Sequence, residues 1–210
     1  MAEIEIVQLG SVPYADALEL QRELQSARLA GEIGDVALLL EHPDVITFGR
    51  RTPPSVTSAR DALIARGYDV HETNRGGDAT YHGPGQLVGY LIVDLAERVR
   101  DVHLYLRTLE SVVIEAAADL GVSATRSDGC SGVWTSPAHK LASLGVGVRR
   151  WVTLHGFALN VSCDLARFDA IVPCGLASIE MVSLSSVLGR TVTMSAARER
   201  VTAQLRKAFA

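Results

Sequence analysis

Cysteine is scarce in this 210-residue chain: Cys130, Cys163 and Cys174 are all there is. An odd, low count excludes a disulfide framework and fits reduced thiols. Long apolar runs are missing too, and no stretch approaches the ~20 residues that span a bilayer. The N-terminus, MAEIEIVQLG, carries acids where a secretion signal would carry bases. Basic charge is also in short supply. Twenty Lys and Arg stand against twenty-four Asp and Glu, a formal net charge of −4. The pair Arg149-Arg150 is too short to form the concentrated basic face that nucleic acid requires. It reads as two solvated charges at a strand end, and it is a candidate for steering an acidic protein partner. The expectation is a cytoplasmic protein with no nucleic-acid or membrane partner, and nothing demands an oligomer, so a monomer is expected.

Cofactor motifs are absent as well. The six histidines, at positions 42, 71, 82, 103, 139 and 155, form no HExxH pair, and the cysteines form no CxxC. There is no GxSxG elbow for a serine hydrolase and no GxxxxGK[ST] phosphate loop. Gly145-Val146-Gly147 supplies only the first two glycines of a dinucleotide fingerprint, and position 150 is arginine. No metal site is expected.

What is present is a well-patterned globular chain. Hydrophobic residues make up 48% of it, too many for disorder. With no linker or repeat, residues 1–210 read as a single domain. Alternation over 3–8 predicts a strand. Residues 14–30 predict a helix with Ala15, Leu18, Leu24 and Ala27 near one face, stopped by Gly31. Strands follow at 36–40 and 45–48 around a His42-Pro43-Asp44 turn, then a short helix over 58–66. Residues 74–86, NRGGDATYHGPGQ, hold too much glycine for a regular element. A buried strand is predicted over 87–95. Val102, Leu106, Leu109, Val113, Ala116 and Leu120 recur at three and four, so 101–120 is the strongest helix, with Gly121 in the stop position. Strands over 140–148 and 152–162 form a hairpin around Arg149-Arg150. A last helix over 195–209 aligns Val201, Leu205 and Phe209. Without strict β-α-β alternation this mixture predicts an α+β domain, a mixed β-sheet with packed helices.

Three features carry chemistry. Cys174 lies in Val172-Pro173-Cys174-Gly175, where proline fixes the backbone before the thiol and glycine leaves space after it. Read alone it is more often a buried structural cysteine. Lys140 heads a predicted strand, where a lysine is ordinarily a solvated cap. As the neighbour of a cysteine, an ammonium favours the thiolate, and a partly desolvated lysine can serve as a base. The third feature is the glycine-rich loop, whose bland reading is a tight turn. His82 within it, and His155, are candidates to donate a hydrogen bond to a carbonyl. Cys130 and Cys163 read as packing residues.

Four blocks in order give these features a context. Arg75-Gly76-Gly77-Asp78-Ala79-Thr80-Tyr81-His82-Gly83-Pro84-Gly85-Gln86, Lys140-Leu141-Ala142-Ser143-Leu144-Gly145, His155-Gly156-Phe157-Ala158-Leu159-Asn160-Val161 and Pro173-Cys174-Gly175 together resemble the signature of lipoyl(octanoyl) transferases. The resemblance covers about residues 36–188. It implies a fold similar to the catalytic domain of biotin and lipoate protein ligases. It implies a cofactor-free acyl transfer: an octanoyl group leaves octanoyl-acyl carrier protein, rests on a cysteine as a thioester, and ends on the lysine amine of a lipoyl domain. The acceptors implied are the E2 subunits of 2-oxoacid dehydrogenases and the glycine cleavage H protein. Residue by residue, the matching nucleophile is Cys174 and its acid/base is Lys140. The acyl-binding segments match Arg75, Gly76, Gly77, Asp78, Ala79, Thr80, Tyr81 and His82; Ser143, Leu144 and Gly145; and Gly156, Phe157 and Ala158. Backbone N–H groups near Gly175 or Ser143 to Gly145 are candidates for the oxyanion. Cys130 and Cys163 stand where the family pattern asks for no cysteine. The rival readings are an ATP-dependent lipoate- or biotin-type protein ligase on the same fold, a cysteine hydrolase using His82 or His155, and a non-catalytic binding module.

Overall fold

The computed structural model describes residues 3–127, 129–171 and 179–210. The most apolar stretches of the sequence become strands buried on both faces. β6 (Gln86–Ile92) and β10 (Val152–Asn160) are buried at every residue, and β2 (Val36–Glu41) at all but its last. They lie side by side in the middle of the larger sheet. Among the described residues that sheet has eight strands, in the order β1 (Glu5–Ser11), β2, β6, β10, β9 (His139–Arg149), β8 (Cys130–Ser136), β7 (Thr125–Ser127), with β11 (Glu180–Met181) also paired to β9. It is mixed: β1 runs parallel to β2 and β11 parallel to β9, and the other pairings are antiparallel. A smaller sheet, β4 (Asp69–Glu72), β3 (Val45–Phe48) and β5 (Thr80–His82), stands apart from it.

Helices cover the sheets. α4 (Val102–Asp119) and α6 (Met194–Ala208) share one core cluster with the inward residues of the large sheet, among them Leu109, Val113, Ala116, Val201 and Leu205. This is the stripe expected from the 3.6-residue period. Asp101 caps α4 by accepting from the N–H groups of His103 and Leu104. α1 (Tyr14–Ala30) packs with β2, β6 and β10 in a second cluster, and Gly31, at φ 74, ends it in the left-handed conformation. A third cluster joins the small sheet to a 3-10 helix over Leu165–Ala170.

Three expectations are corrected. The buried face of α1 is Tyr14, Ala17, Gln21, Gln25 and Arg28, whereas Ala15 is exposed and Leu18, Leu24 and Ala27 are only partly buried. Specific hydrogen bonds outweigh hydrophobicity there. Gln21 Oε1 accepts from the His155 N–H at 2.9 Å, and Gln25 Nε2 donates to the Val152 carbonyl at 2.9 Å. The helix expected over 58–66 is two short ones, α2 (Pro54–Thr57) and α3 (Arg60–Ala65). The glycine-rich stretch is not irregular throughout, because Thr80–His82 pairs antiparallel with β3. The short strands β4, β7, β8 and β11 and the helix α5 (Leu184–Leu188) had no expected counterpart. The expected hairpin forms, with its turn one residue further along than Arg149-Arg150, since Arg149 pairs with Val152. Arg150 and Trp151, at φ 47 and 72, make its two-residue turn, and positive φ at both matches the twist of the flanking strands.

Candidate active site

A bulge in β9 prepares the first functional side chain. Val133 faces Ala142 and Trp134 faces Lys140, so Leu141 is an extra residue in β9. Such a bulge re-aims the side chains beside it. Lys140 is accordingly 3% exposed, with its Nζ 5.0 Å from the centre of the Trp134 ring. The reading of Lys140 as a solvated cap is thereby overturned. Its backbone is held by β11, where the Val182 N–H donates to the Lys140 carbonyl at 2.9 Å.

The glycine-rich loop is laid directly on the sheet. The Gly76 N–H donates to the Val146 carbonyl at 2.9 Å. A Cβ on Gly145 would stand 2.8 Å from the Gly76 carbonyl oxygen, so glycine is what permits this approach. Arg75 is buried and clamps the loop to β3, donating from Nη2 to the Thr47 carbonyl at 2.7 Å and the Thr47 hydroxyl at 2.9 Å.

Between loop and sheet lies a cavity of about 300 Å³, the size of a small-ligand site. Lys140 lines it together with Arg75, Gly77, Asp78, Ala79, Thr80 and His82 from the loop and β5. Ser143, Leu144 and Gly145 line it from β9, and Gly156, Phe157 and Ala158 from β10. The last two triplets face one another in the ladder: Ser143 pairs with Ala158, Leu144 with Phe157 and Gly145 with Gly156. Two expected residues are not in the lining. Gly76 is turned against Val146, and the Tyr81 hydroxyl donates instead to Asp44 Oδ1 at 2.6 Å. Cys174, Gly175 and their neighbours over 172–178 lie outside the described residues. Phe168 and Met181, on the described chain to either side of them, both line the cavity.

The cavity has further walls that sequence reasoning missed. Tyr14, Arg51 and Tyr90 line it, and no local motif marks them. Cys130 and Ser131 line it as well. Cys130 is therefore a half-buried cavity residue and not a packing residue, and the unexpected cysteine in the Gly129-to-Trp134 segment was the available signal. Cys163 does pack, and burial pushes its thiol up to about 12.

Buried histidines surround the polar side. Burial, followed by the charge of Arg75, pushes His155 down to about 3; its Nε2 donates to Asn74 Oδ1 at 2.8 Å. Burial and the neighbouring His42 push His82 down to about 3. Gln86 Nε2 donates to Asn160 Oδ1 at 2.9 Å, which leaves Gln86 Oε1 to accept from His82 Nδ1 at 2.7 Å. Neither ring is hydrogen-bonded to a described thiol, and one nitrogen of each is committed as a donor, Nδ1 of His82 and Nε2 of His155. Among the described residues no group of three or more His, Cys, Asp and Glu is arranged to hold a metal ion.

A family model of the lipoyl protein ligase A/B catalytic domain matches residues 13–206. An octanoyltransferase of Mycobacterium tuberculosis is 53% identical over 205 residues, covering 97% of this chain and 86% of the relative. An octanoyltransferase of Geobacter metallireducens is 49% identical over 193 residues, covering 92% and 87%. The chain belongs to the octanoyltransferase family. It is an acyltransferase. Solved structures share this family's fold at much lower identity. A bipartite lipoate protein ligase from Thermoplasma acidophilum aligns with TM-score 0.76 at 17% identity, covering 99% of this chain and 84% of that one. A biotin protein ligase from Aquifex aeolicus, in complex with biotin and ATP, aligns with TM-score 0.58 at 13% identity, covering 98% and 70%. The mixed α+β architecture expected for an octanoyltransferase is the one found.

Proposed function

We propose that this protein moves an octanoyl group from octanoyl-acyl carrier protein to the lysine amine of lipoyl domains, through a thioester on Cys174 and with Lys140 as acid and base. The observation that carries octanoyl transfer is half-identity over nearly the whole chain with relatives named octanoyltransferase. The site reading draws support from a buried Lys140 lining the cavity, and from Cys174 standing in sequence between Phe168 and Met181, which line the same cavity.

The steps balance without a cofactor. The Cys174 thiolate attacks the carrier thioester, a new C–S bond forms, and the bond to the carrier sulfur breaks. The Lys140 ammonium gives the departing carrier sulfur its proton. The acceptor amine then attacks the Cys174 thioester, a C–N bond forms and the Cys174 sulfur leaves. Lys140, now neutral, takes the proton that the amine sheds. Thioester exchange is nearly isoenergetic and amide formation runs downhill, so no nucleotide is consumed. Leu144, Phe157, Ala158, Phe168 and Met181 supply apolar wall. The roughly seven methylene and methyl groups of an octanoyl chain gain about 6 kcal/mol on full burial there, at ~0.8 kcal/mol each. In this reading residues 1–210 are one catalytic domain acting as a cytoplasmic monomer, with lipoyl domains of 2-oxoacid dehydrogenases and the H protein as acceptors. Among the described residues no helix is long and apolar enough to cross a membrane.

Intact-mass spectrometry after mixing with octanoyl-acyl carrier protein tests the proposal. The expected result is one octanoyl adduct, absent in Cys174→Ala and discharged on adding a lipoyl domain. A wild-type protein that never acquires the adduct would sink it. Full activity of Cys174→Ala with a requirement for ATP would instead establish the ligase reading.

A further inference from the structure

Glu110 is a carboxylate in a costly place, on α4 at 1% exposure. A buried charge needs partners on all sides. Its Oε2 has them in Arg107 Nη1 at 2.8 Å and Arg126 Nε at 3.2 Å. Its Oε1 points the other way and accepts from the Gly132 N–H at 3.1 Å. Gly132 has φ 145, a conformation that favours glycine. A Cβ there would lie 2.6 Å from Lys140 Cε and 3.2 Å from Lys140 Nζ. The end of the Lys140 side chain therefore rests directly on the Gly132 backbone, with the Trp134 ring also close to its ammonium. The residues just before Gly132, Cys130 and Ser131, line the cavity.

One hydrogen bond thus connects a helix carboxylate to the surface that Lys140 leans on. We infer that Glu110 is a positioning residue for Lys140: held by Arg107 and Arg126, its carboxylate fixes the Gly132 backbone and so fixes where the Lys140 ammonium stands in the cavity. The inference rests on the acid/base role proposed for Lys140. Glu110 touches no reacting atom. It acts through geometry, and misplacement of a reacting group by about 1 Å is worth on the order of a hundredfold in rate.

Two variants separate reach from charge. Glu110→Gln keeps an oxygen within reach of the Gly132 N–H and loses the charge. Glu110→Asp keeps the charge and loses the reach. Both are assayed for transfer from octanoyl-acyl carrier protein, with rates normalised to the folded fraction from thermal melts. Glu110→Asp is expected to lower kcat by on the order of tenfold to a hundredfold, with KM for the donor little changed and the pH profile of kcat displaced. Glu110→Gln is expected to retain kcat within a few-fold. The reverse order, Asp active and Gln inactive, would overturn the inference by showing that charge is what matters. Loss in both variants only in proportion to unfolded protein would overturn it too, by showing a purely structural role. A wild-type enzyme that fails to transfer octanoyl groups would count against the proposed function, whereas an active wild type with an unimpaired Glu110→Asp counts against this inference alone.

Discussion

Lys140 combines near-complete burial with a place on the cavity wall, and those two facts pull in different directions energetically. A charge taken out of water costs several kcal/mol before its partners repay it, so an apolar residue of similar length should fold at least comparably. Lys140→Met is therefore expected to keep the native circular dichroism spectrum while losing on the order of 10²- to 10⁴-fold in octanoyl transfer, the range for a removed acid/base. Retained activity in a folded Lys140→Met would remove lysine from the mechanism. The thiols give a second prediction at this scale. Burial raises the Cys163 thiol to about 12, so little thiolate exists near neutrality and the residue is protected from alkylation. In mass-mapped maleimide labelling of the native protein, Cys163 should stay unmodified until denaturant is added, while half-buried Cys130 reacts. Rapid native labelling of Cys163 would contradict its packed setting.

At the scale of elements, the site depends on a loop lying flat against a strand. Gly145 makes that possible, because any Cβ there would meet the Gly76 carbonyl and the Arg75 side chain. Gly145→Ala must push the loop off the sheet or shift β9, an overpacking worth about 1–3 kcal/mol, read as a lowered denaturation midpoint with reduced transfer. The contact between α1 and β10 is polar in the same decisive way. Gln21→Leu leaves the buried His155 N–H without its acceptor, a loss of about 1–3 kcal/mol. A Gln21→Leu variant as stable as the wild type would mean that hydrophobic burial, not this bond, seats the helix.

Across the whole molecule, three buried neutral histidines set the acid limit. In the folded state His42 is lowered to about 4, and His82 and His155 to about 3, in each case mainly by burial. The unfolded chain takes up these protons near 6.5, so it binds more protons than the fold between 6.5 and 3–4. Stability is full above 6.5 and is lost as pH falls through that window, at about 1.4 kcal/mol per pH unit for each group. Urea melts at pH 7.5 and pH 5 should show the midpoint falling at the lower pH. A midpoint unchanged between them would mean that the rings are solvated.

Sequence and tertiary structure divided the work along physical lines. Periodicity is local, so α4, α6, the long central strands and the β9–β10 hairpin were legible in the chain, whereas the residues that form most of the cavity wall were pointed to by the family resemblance alone. The four blocks around Arg75, Lys140, His155 and Cys174 carried that family by their order. The short strands β4, β7, β8 and β11 were not legible, because runs of two to four residues, or a strand interrupted by glycine at position 132, leave no period to detect. Nor was the buried face of α1, whose glutamines and arginine are held by hydrogen bonds to residues distant in sequence. Only the fold could decide that a bulge at Leu141 turns Lys140 inward, that Tyr14 and Tyr90 join the cavity, and that Glu110 reaches Gly132. Each depends on contacts between residues far apart in the chain, and a local pattern holds no information about which distant group a side chain will meet.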